Sequence, residues 1–361
     1  MKRVIGRVQD PVRREGADIN LLLTLLSFAA SVSITRLFLE VTGYPQLGGG
    51  ELHIAHVLWG GLLLFAASLI PLVYANRWVY RWGAVLAGVG MGLFIDEVGK
   101  FITATNDYFH PAAAPIIYAF FLVTVLIYRR VRRPPLRSAR SELYRALDAM
   151  EELLDHDLEP AERADLTRRL KFVRDESRHP NFRLLASQLL SFLEHEDLGL
   201  APKRMSRLDR ALRWIQAWEA RHITEGRARA MLVGGLLGLG AWALFSVIQV
   251  LSPELVVPRL ETLIQGGVLA NEVQLAWFTA RVALELAVGS LLVIAGGMLL
   301  VGRSERGQWL GYLAVVLSLT TVNVLAFYFE QFSTIVKAAV EFALLLGLLR
   351  YRSLFIVDDQ G

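Results

Sequence analysis

The stretch GLFIDEVGKF, Gly92 to Phe101, sets two adjacent carboxylates, Asp96 and Glu97, and an amine, Lys100, in one turn of an otherwise apolar run. Carboxylates so placed take up protons or bind cations, and the amine supplies the counter-charge. An ionised group in hydrocarbon costs roughly 2.5–3.5 kcal/mol even on the lenient insertion scale, so an apolar helix that keeps three of them needs a reason. Asp96 and Lys100 are four apart and Glu97 and Lys100 three apart. The sequence therefore predicts that Lys100 pairs with Asp96 along one face. Glu97 then depends on another helix, on water or on a proton.

The same four-residue spacing recurs in Arg36 and Glu40, Arg281 and Glu285, and Lys337 and Glu341, while Asn323 and Glu330 lie late in another apolar run. Lysine is scarce in the chain, yet Lys100 and Lys337 are both embedded. The binding set predicted is Asp96, Glu97, Lys100, Asn323, Glu330, Lys337 and Glu341, taking an ion or a small polar molecule. A competing account needs no function: intrahelical pairs facing a bundle interior, with snorkelling at the outer interface, would hold most of this charge. His53 and His56 are three apart at the start of a further run, with Glu51, Asp96, Glu97, Asp107 and His110 expected on the same side. Imidazole and carboxylate in that mixture suit a divalent metal such as zinc.

Several chemistries are excluded. The chain has no cysteine, so it has no disulfide, thiolate metal site or cysteine nucleophile. Gly48-Gly49-Gly50 has no following lysine and reads as a turn, not a phosphate cradle. No Ser/His/Asp nucleophile set is apparent. A net charge of +4 and a pI near 9.4 come from arginines gathered at the ends of apolar runs, which membrane topology explains without nucleic acid.

The elements that must position these groups are membrane helices. More than half of the residues, 54%, are hydrophobic although 20% are charged, so the apolar residues are concentrated in blocks. Eight runs are long enough to cross about 30 Å of hydrocarbon: 19–41, 53–75, 80–104, 112–130, 228–252, 275–301, 309–329 and 332–352. The first continues too long for a signal h-region and reads as a span. Arg and Lys crowd the N-terminus, the second connection (Arg77, Arg81), the segment after the fourth run (Arg129, Arg130, Arg132, Arg133), the sixth connection (Arg303, Arg306) and the C-terminus (Arg350, Arg352). Those parts should be cytoplasmic, and the polar groups should face a pocket open to the outside. That pocket is expected chiefly between the second, third, seventh and eighth runs.

Residues 131–226 form a polar insert with helical periodicity. Leu143, Leu147, Met150 and Leu154 make one stripe, Leu166, Leu170 and Val173 a second, Leu185, Leu189 and Phe192 a third. Pro160 and Pro180 mark helix boundaries. A further helix over 206–225, with arginines opposite Leu208, Leu212, Ile215 and Trp218, is suited either to the bundle or to an anionic inner leaflet. The expected segments are therefore 1–130, 131–226 and 227–361. The halves also invite comparison as a repeat: Trp82 and Trp309 each precede a polar residue, Asp96 and Asn323, by fourteen positions.

ELHIAHVLWGGLLL followed by GVGMGLFIDEVGKFI resembles a group of uncharacterised bacterial integral membrane proteins that carry a His-Ile-x-His-x-x-x-Gly helix and then a Gly-rich helix ending in Asp-Glu. The resemblance covers residues 40–130. It implies a bacterial plasma membrane protein and supports the positions His53, His56, Asp96 and Glu97, with no activity to carry over.

The whole reading is an all-α, polytopic transmembrane bundle of eight spans with a cytoplasmic helical insert and both termini cytoplasmic. Its leading function is transport or binding of an ion or small polar solute. The alternatives are a membrane-embedded metal-dependent hydrolase or transferase at the outer leaflet, and a sensor signalling through the insert. The partners expected are the lipid bilayer and an ion or small-molecule ligand, and not nucleic acid; oligomeric state is not legible.

Overall fold

The computed structural model of the chain describes residues 11–43, 55–133, 137–154, 158–195, 214, 217, 221, 223–252 and 272–356. His53, Gly48-Gly49-Gly50 and most of the predicted 206–225 helix lie outside them. Among the described residues every regular element is helical. In chain order these are α1 (Ala17–Thr42), α2 (His56–Val73), α3 (Trp78–Asp96), α4 (Val98–Ile102), α5 (Ala113–Arg132), α6 (Ala139–Leu154), α7 (Pro160–Glu176), α8 (Pro180–His195), α9 (Glu225–Leu251), α10 (Glu272–Leu300) and α11 (Ser304–Leu317). A π-helical turn (Ser318–Val322), α12 (Asn323–Glu330), a 3₁₀ turn (Gln331–Ser333) and α13 (Thr334–Phe355) complete the chain.

Seven candidate spans among the described residues are long and apolar enough to cross a membrane: α1, α2, α3, α5, α9, α10, and α11 through α12 taken together. The protein is an integral membrane protein. The eighth predicted run is also one helix, α13, of 22 residues, but it carries Lys337 and Glu341 and does not meet that apolar criterion. The third run departs from expectation. The apolar run predicts continuous helix to 104, yet α3 stops at Asp96, because Glu97 (φ −87°, ψ 8°) leaves helical geometry before α4 begins.

The chain divides into two compact units, one of residues 1–95 and 123–210, the other of residues 96–122 and 211–361. In the first, small residues set the helix spacing. The Ser31 hydroxyl of α1 donates to the Val89 carbonyl of α3 at 3.0 Å, and a Cβ on Gly88 would stand 2.4 Å from the Thr24 carbonyl oxygen. Gly88 and Gly92, four apart on one face of α3, therefore pack that helix directly on the α1 backbone. In the same unit α6, α7 and α8 enclose a core of Leu143, Ala146, Leu166, Leu170, Val173, Ala186, Leu190 and Leu193. Pro160 and Pro180 begin α7 and α8, and Glu159 and Glu162 close a capping box at the start of α7. The stripe predicted for α8 is one position out: Ala186, Leu190 and Leu193 are buried, whereas Leu185 and Phe192 are exposed. A leucine-rich helix offers two neighbouring apolar stripes, and the small Ala186 lets the backbones approach on the second.

In the other unit α9, α10, α11 and α13 share a core that includes Leu236, Leu292, Leu299, Val315, Leu348 and Tyr351. Successive helices alternate in direction, so the start of α10, the end of α12 and the start of α13 lie at one end. The other end carries Arg303, Arg306, Arg350 and Arg352.

Candidate functional site

Polar groups gather at the first of those ends of the second unit, in two clusters. The first is built by residues 96–112. Beyond α4 the chain turns back through Asn106, which holds a left-handed φ of 55°. Thr103 staples the return, its hydroxyl donating to the Gly99 carbonyl and accepting from the Asp107 amide, each at 2.8 Å. Gly99 is demanded by contact: a Cβ there would stand 2.7 Å from the Asp107 carbonyl oxygen. The return carries Tyr108 to the end of α3, where its hydroxyl donates to Asp96 Oδ2 at 2.6 Å. Lys100 Nζ stands 3.0 Å from Glu97 Oε2 and 5.4 Å from the centroid of the Tyr108 ring. Asp96 and Glu97 are 0% and 1% exposed. Continuous helix suggested Lys100 with Asp96; the structure pairs the amine with Glu97, the residue at which helical geometry is interrupted. Tyr108 is the residue the sequence reading missed; the Asn106-Asp107 turn before it was the available signal.

The second cluster lies between α10, α12 and α13. In an α-helix five residues turn through about 500°, which would put Ser318 and Asn323 roughly 140° apart. The π turn, in which the Asn323 amide donates to the Ser318 carbonyl, brings both onto one face. There the Ser318 hydroxyl donates to Glu341 Oε1 at 2.7 Å and Asn323 Nδ2 donates to Glu341 Oε2 at 2.6 Å. Tyr118, from α5, donates its hydroxyl proton to the Leu319 carbonyl inside the π turn at 2.6 Å, and its ring stacks on Phe327 with centroids 4.5 Å apart.

Beside this centre runs a chain of charge. Arg281 meets Glu330 at 2.6 Å and Glu285 at 3.6 Å, and Glu285 meets Lys337 at 3.1 Å. Lys337 and Glu341 were expected to pair along α13. Instead Lys337 reaches across to Glu285, and Glu341 takes neutral donors. The physical reason is the π turn, which delivers two hydrogen-bond donors to Glu341 and leaves the flexible amine for the carboxylate of α10. The second-half predicted residues Asn323, Glu330, Lys337 and Glu341 are thus brought together, with Arg281 and Glu285 joining them. Ser318 and Tyr118 were missed, since no α-helical spacing relates Ser318 to Asn323. The two clusters share a boundary: Gln331 Nε2, at the corner after α12, donates to the Phe109 carbonyl at 3.0 Å.

Of the predicted metal pair, His56 opens α2 in the first unit and is partly buried, and His53 lies outside the described residues. His110 Nδ1 accepts the Ala112 amide at 3.3 Å and so serves its own turn. Among the described residues no three His, Asp or Glu side chains are grouped to hold a metal ion. No family model matches the chain, and no curated protein and no solved structure is significantly similar to it. The site's chemistry must be argued from its own groups.

Proposed function

We propose that the protein binds and transports a small cation or positively charged polar solute at an acidic intramembrane site. What supports the reading is Glu341, 1% exposed and held by the neutral donors of Ser318 and Asn323, with no cation within ion-pair distance among the described residues. Asp96 and Glu97, 0% and 1% exposed, add two more buried carboxylates in the first cluster. A structural network at membrane depth gains by matching its charges, because an uncompensated charge there is costly. A buried carboxylate held by neutral donors alone is what a site for a positive ligand requires. Glu341 lies seven residues into α13, about 10 Å below its start, deep enough for a ligand there to be shielded from bulk water.

In this reading α13 is the eighth span, both termini and residues 131–226 are cytoplasmic, and the protein sits in a bacterial plasma membrane. The acidic end then faces outward. The test is reconstitution of the purified chain in liposomes and measurement of charge movement under imposed gradients of protons, sodium, potassium and small amines. Current should appear with at least one of these cations and be lost in Glu97→Gln and Glu341→Gln. Silence under every gradient, from protein shown to be folded, would overturn the proposal.

A further inference from the structure

The second cluster contains an inconsistency that one proton removes. Glu341 is 1% exposed, and its two oxygens accept from Ser318 and Asn323, as an ionised carboxylate would. Its neighbouring amine, Lys337, is engaged by Glu285, and Arg281 is engaged by Glu330 and Glu285. Among the described residues no cation lies within ion-pair distance of Glu341. With Nδ2 turned toward Glu341, the buried Oδ1 of Asn323 has no donor. The Tyr118 phenol faces the same amide but has given its proton to the Leu319 carbonyl.

An amide has nearly the same shape at both ends, so half a turn of the Asn323 side chain exchanges oxygen and nitrogen. Let Glu341 Oε2 take one proton from hydronium, which leaves as water, and let the amide turn. The new O–H donates to Oδ1, Nδ2 donates to the Tyr118 oxygen, Ser318 still donates to Oε1, and Glu341, Asn323, Ser318 and Tyr118 all have partners. We infer that Glu341 is a proton-binding carboxyl, and that the Asn323 amide turns between two orientations as the proton comes and goes. The π turn places at Glu341 hydroxyl and amide groups able to serve both protonation states.

The groups that set this equilibrium are Lys337 on α13 itself, Arg281 and Glu285 on α10, Glu330 on α12 and Tyr118 on α5. The packed helix α9 bears its own charges, Glu225, Arg227 and Arg229, at the opposite end, where Glu225 meets the Tyr351 hydroxyl. The inference deepens the transport reading by naming the proton as the cation, or as one of two coupled solutes.

The test is infrared difference spectroscopy of the full-length protein in lipid nanodiscs as pH is stepped, following the C=O stretch of a protonated carboxyl. One such band should appear on acidification, vanish in Glu341→Gln, and shift in frequency in Asn323→Leu and in Ser318→Ala, which keep the carboxyl and alter its partners. If Glu341→Gln does not fold, the other two variants decide. A band that persists in Glu341→Gln, or that neither of the other variants shifts, overturns the inference. Charge movement in liposomes together with no Glu341 band would sink the proton assignment and leave the transport reading intact. The Glu341 band without charge movement under any gradient would do the reverse.

Discussion

At the scale of single residues, the sequence singled out side chains by their cost in an apolar run but did not tell which of them meet. Asp96, Glu97 and Lys100 were conspicuous because ionisable groups are expensive in an apolar run. The pairing of Lys100 with Glu97 followed a break at Glu97 that no residue type announces, and Tyr108, a donor to Asp96, arrives through a loop. The consequence is testable. Lys100→Met leaves the buried Glu97 carboxylate without the amine 3.0 Å away, and removing one partner of a buried pair costs roughly 3–5 kcal/mol. Thermal unfolding in detergent should show a clear drop in Tm. Adding Glu97→Gln to the same chain should recover most of it, since the neutral amide no longer needs the cation. A Lys100→Met protein that melts with the unmodified chain would mean that water already solvates the group. Tyr108→Phe should cost less, about 1.5–3 kcal/mol for a hydrogen bond to a charged acceptor, with the main effect on Asp96.

At the scale of elements, apolar periodicity located the helices and the prolines located two of their starts, but the finer geometry came from close approach. Gly99 tests this most sharply. Gly99→Ala would put a Cβ 2.7 Å from the Asp107 carbonyl oxygen, whereas Gly61 in α2 has open space around the same position. Gly99→Ala should unseat the Tyr108 loop and lower Tm, while Gly61→Ala should leave it unchanged or slightly raised, alanine being the better helix former by about 1 kcal/mol. In α8 the burial pattern makes Leu190→Ala costly, about 2–5 kcal/mol, and Phe192→Ala mild. Equal losses would restore the stripe read from the sequence. The π turn is the element that periodicity could not find, because its signature is a fifth-residue hydrogen bond and not a residue type. The α6–α8 bundle also has an acid-sensitive contact in α7. Burial opposes ionisation of Asp165, but the hydrogen bond and charge of Arg169, with Arg168 beside it, outweigh that, so its carboxyl titrates below the ordinary value. A group with a depressed folded value contributes stability that is present above the ordinary carboxylate range and lost as pH falls through the folded value. Hydrogen exchange in α7 should therefore speed up, relative to the intrinsic rate, on going from neutral pH to about pH 3. The change should be smaller in Asp165→Asn, and modest in both because the pair is only partly buried and still reached by solvent.

At the scale of the whole molecule, the sequence made the membrane class plain through its blocks of apolar residues, and the polar groups it singled out in the second unit lie at one end of that unit. It did not disclose that residues 96–122 are built into the unit formed by the later helices, because that association rests on contacts such as Tyr118 with Leu319 and Gln331 with Phe109. These join residues some two hundred positions apart, and local spacing carries no trace of them. Orientation in the membrane remains an inference from arginine, and it has a direct test, since the chain contains no cysteine to interfere. Three exposed positions serve: Thr105 in the loop before Tyr108, Ser187 on α8 and Glu305 at the arginine-bearing end of the second unit. Introduced singly as cysteine, the first should be labelled in intact cells by an impermeant thiol reagent and the other two only after the membrane is opened. Basic segments are retained on the cytoplasmic side with that regularity when they are short and lie close to the spans, as Arg303 and Arg306 do. Labelling of Glu305→Cys in intact cells would turn the acidic end inward, and the carboxylates would then be loading from the cytoplasm instead of from outside.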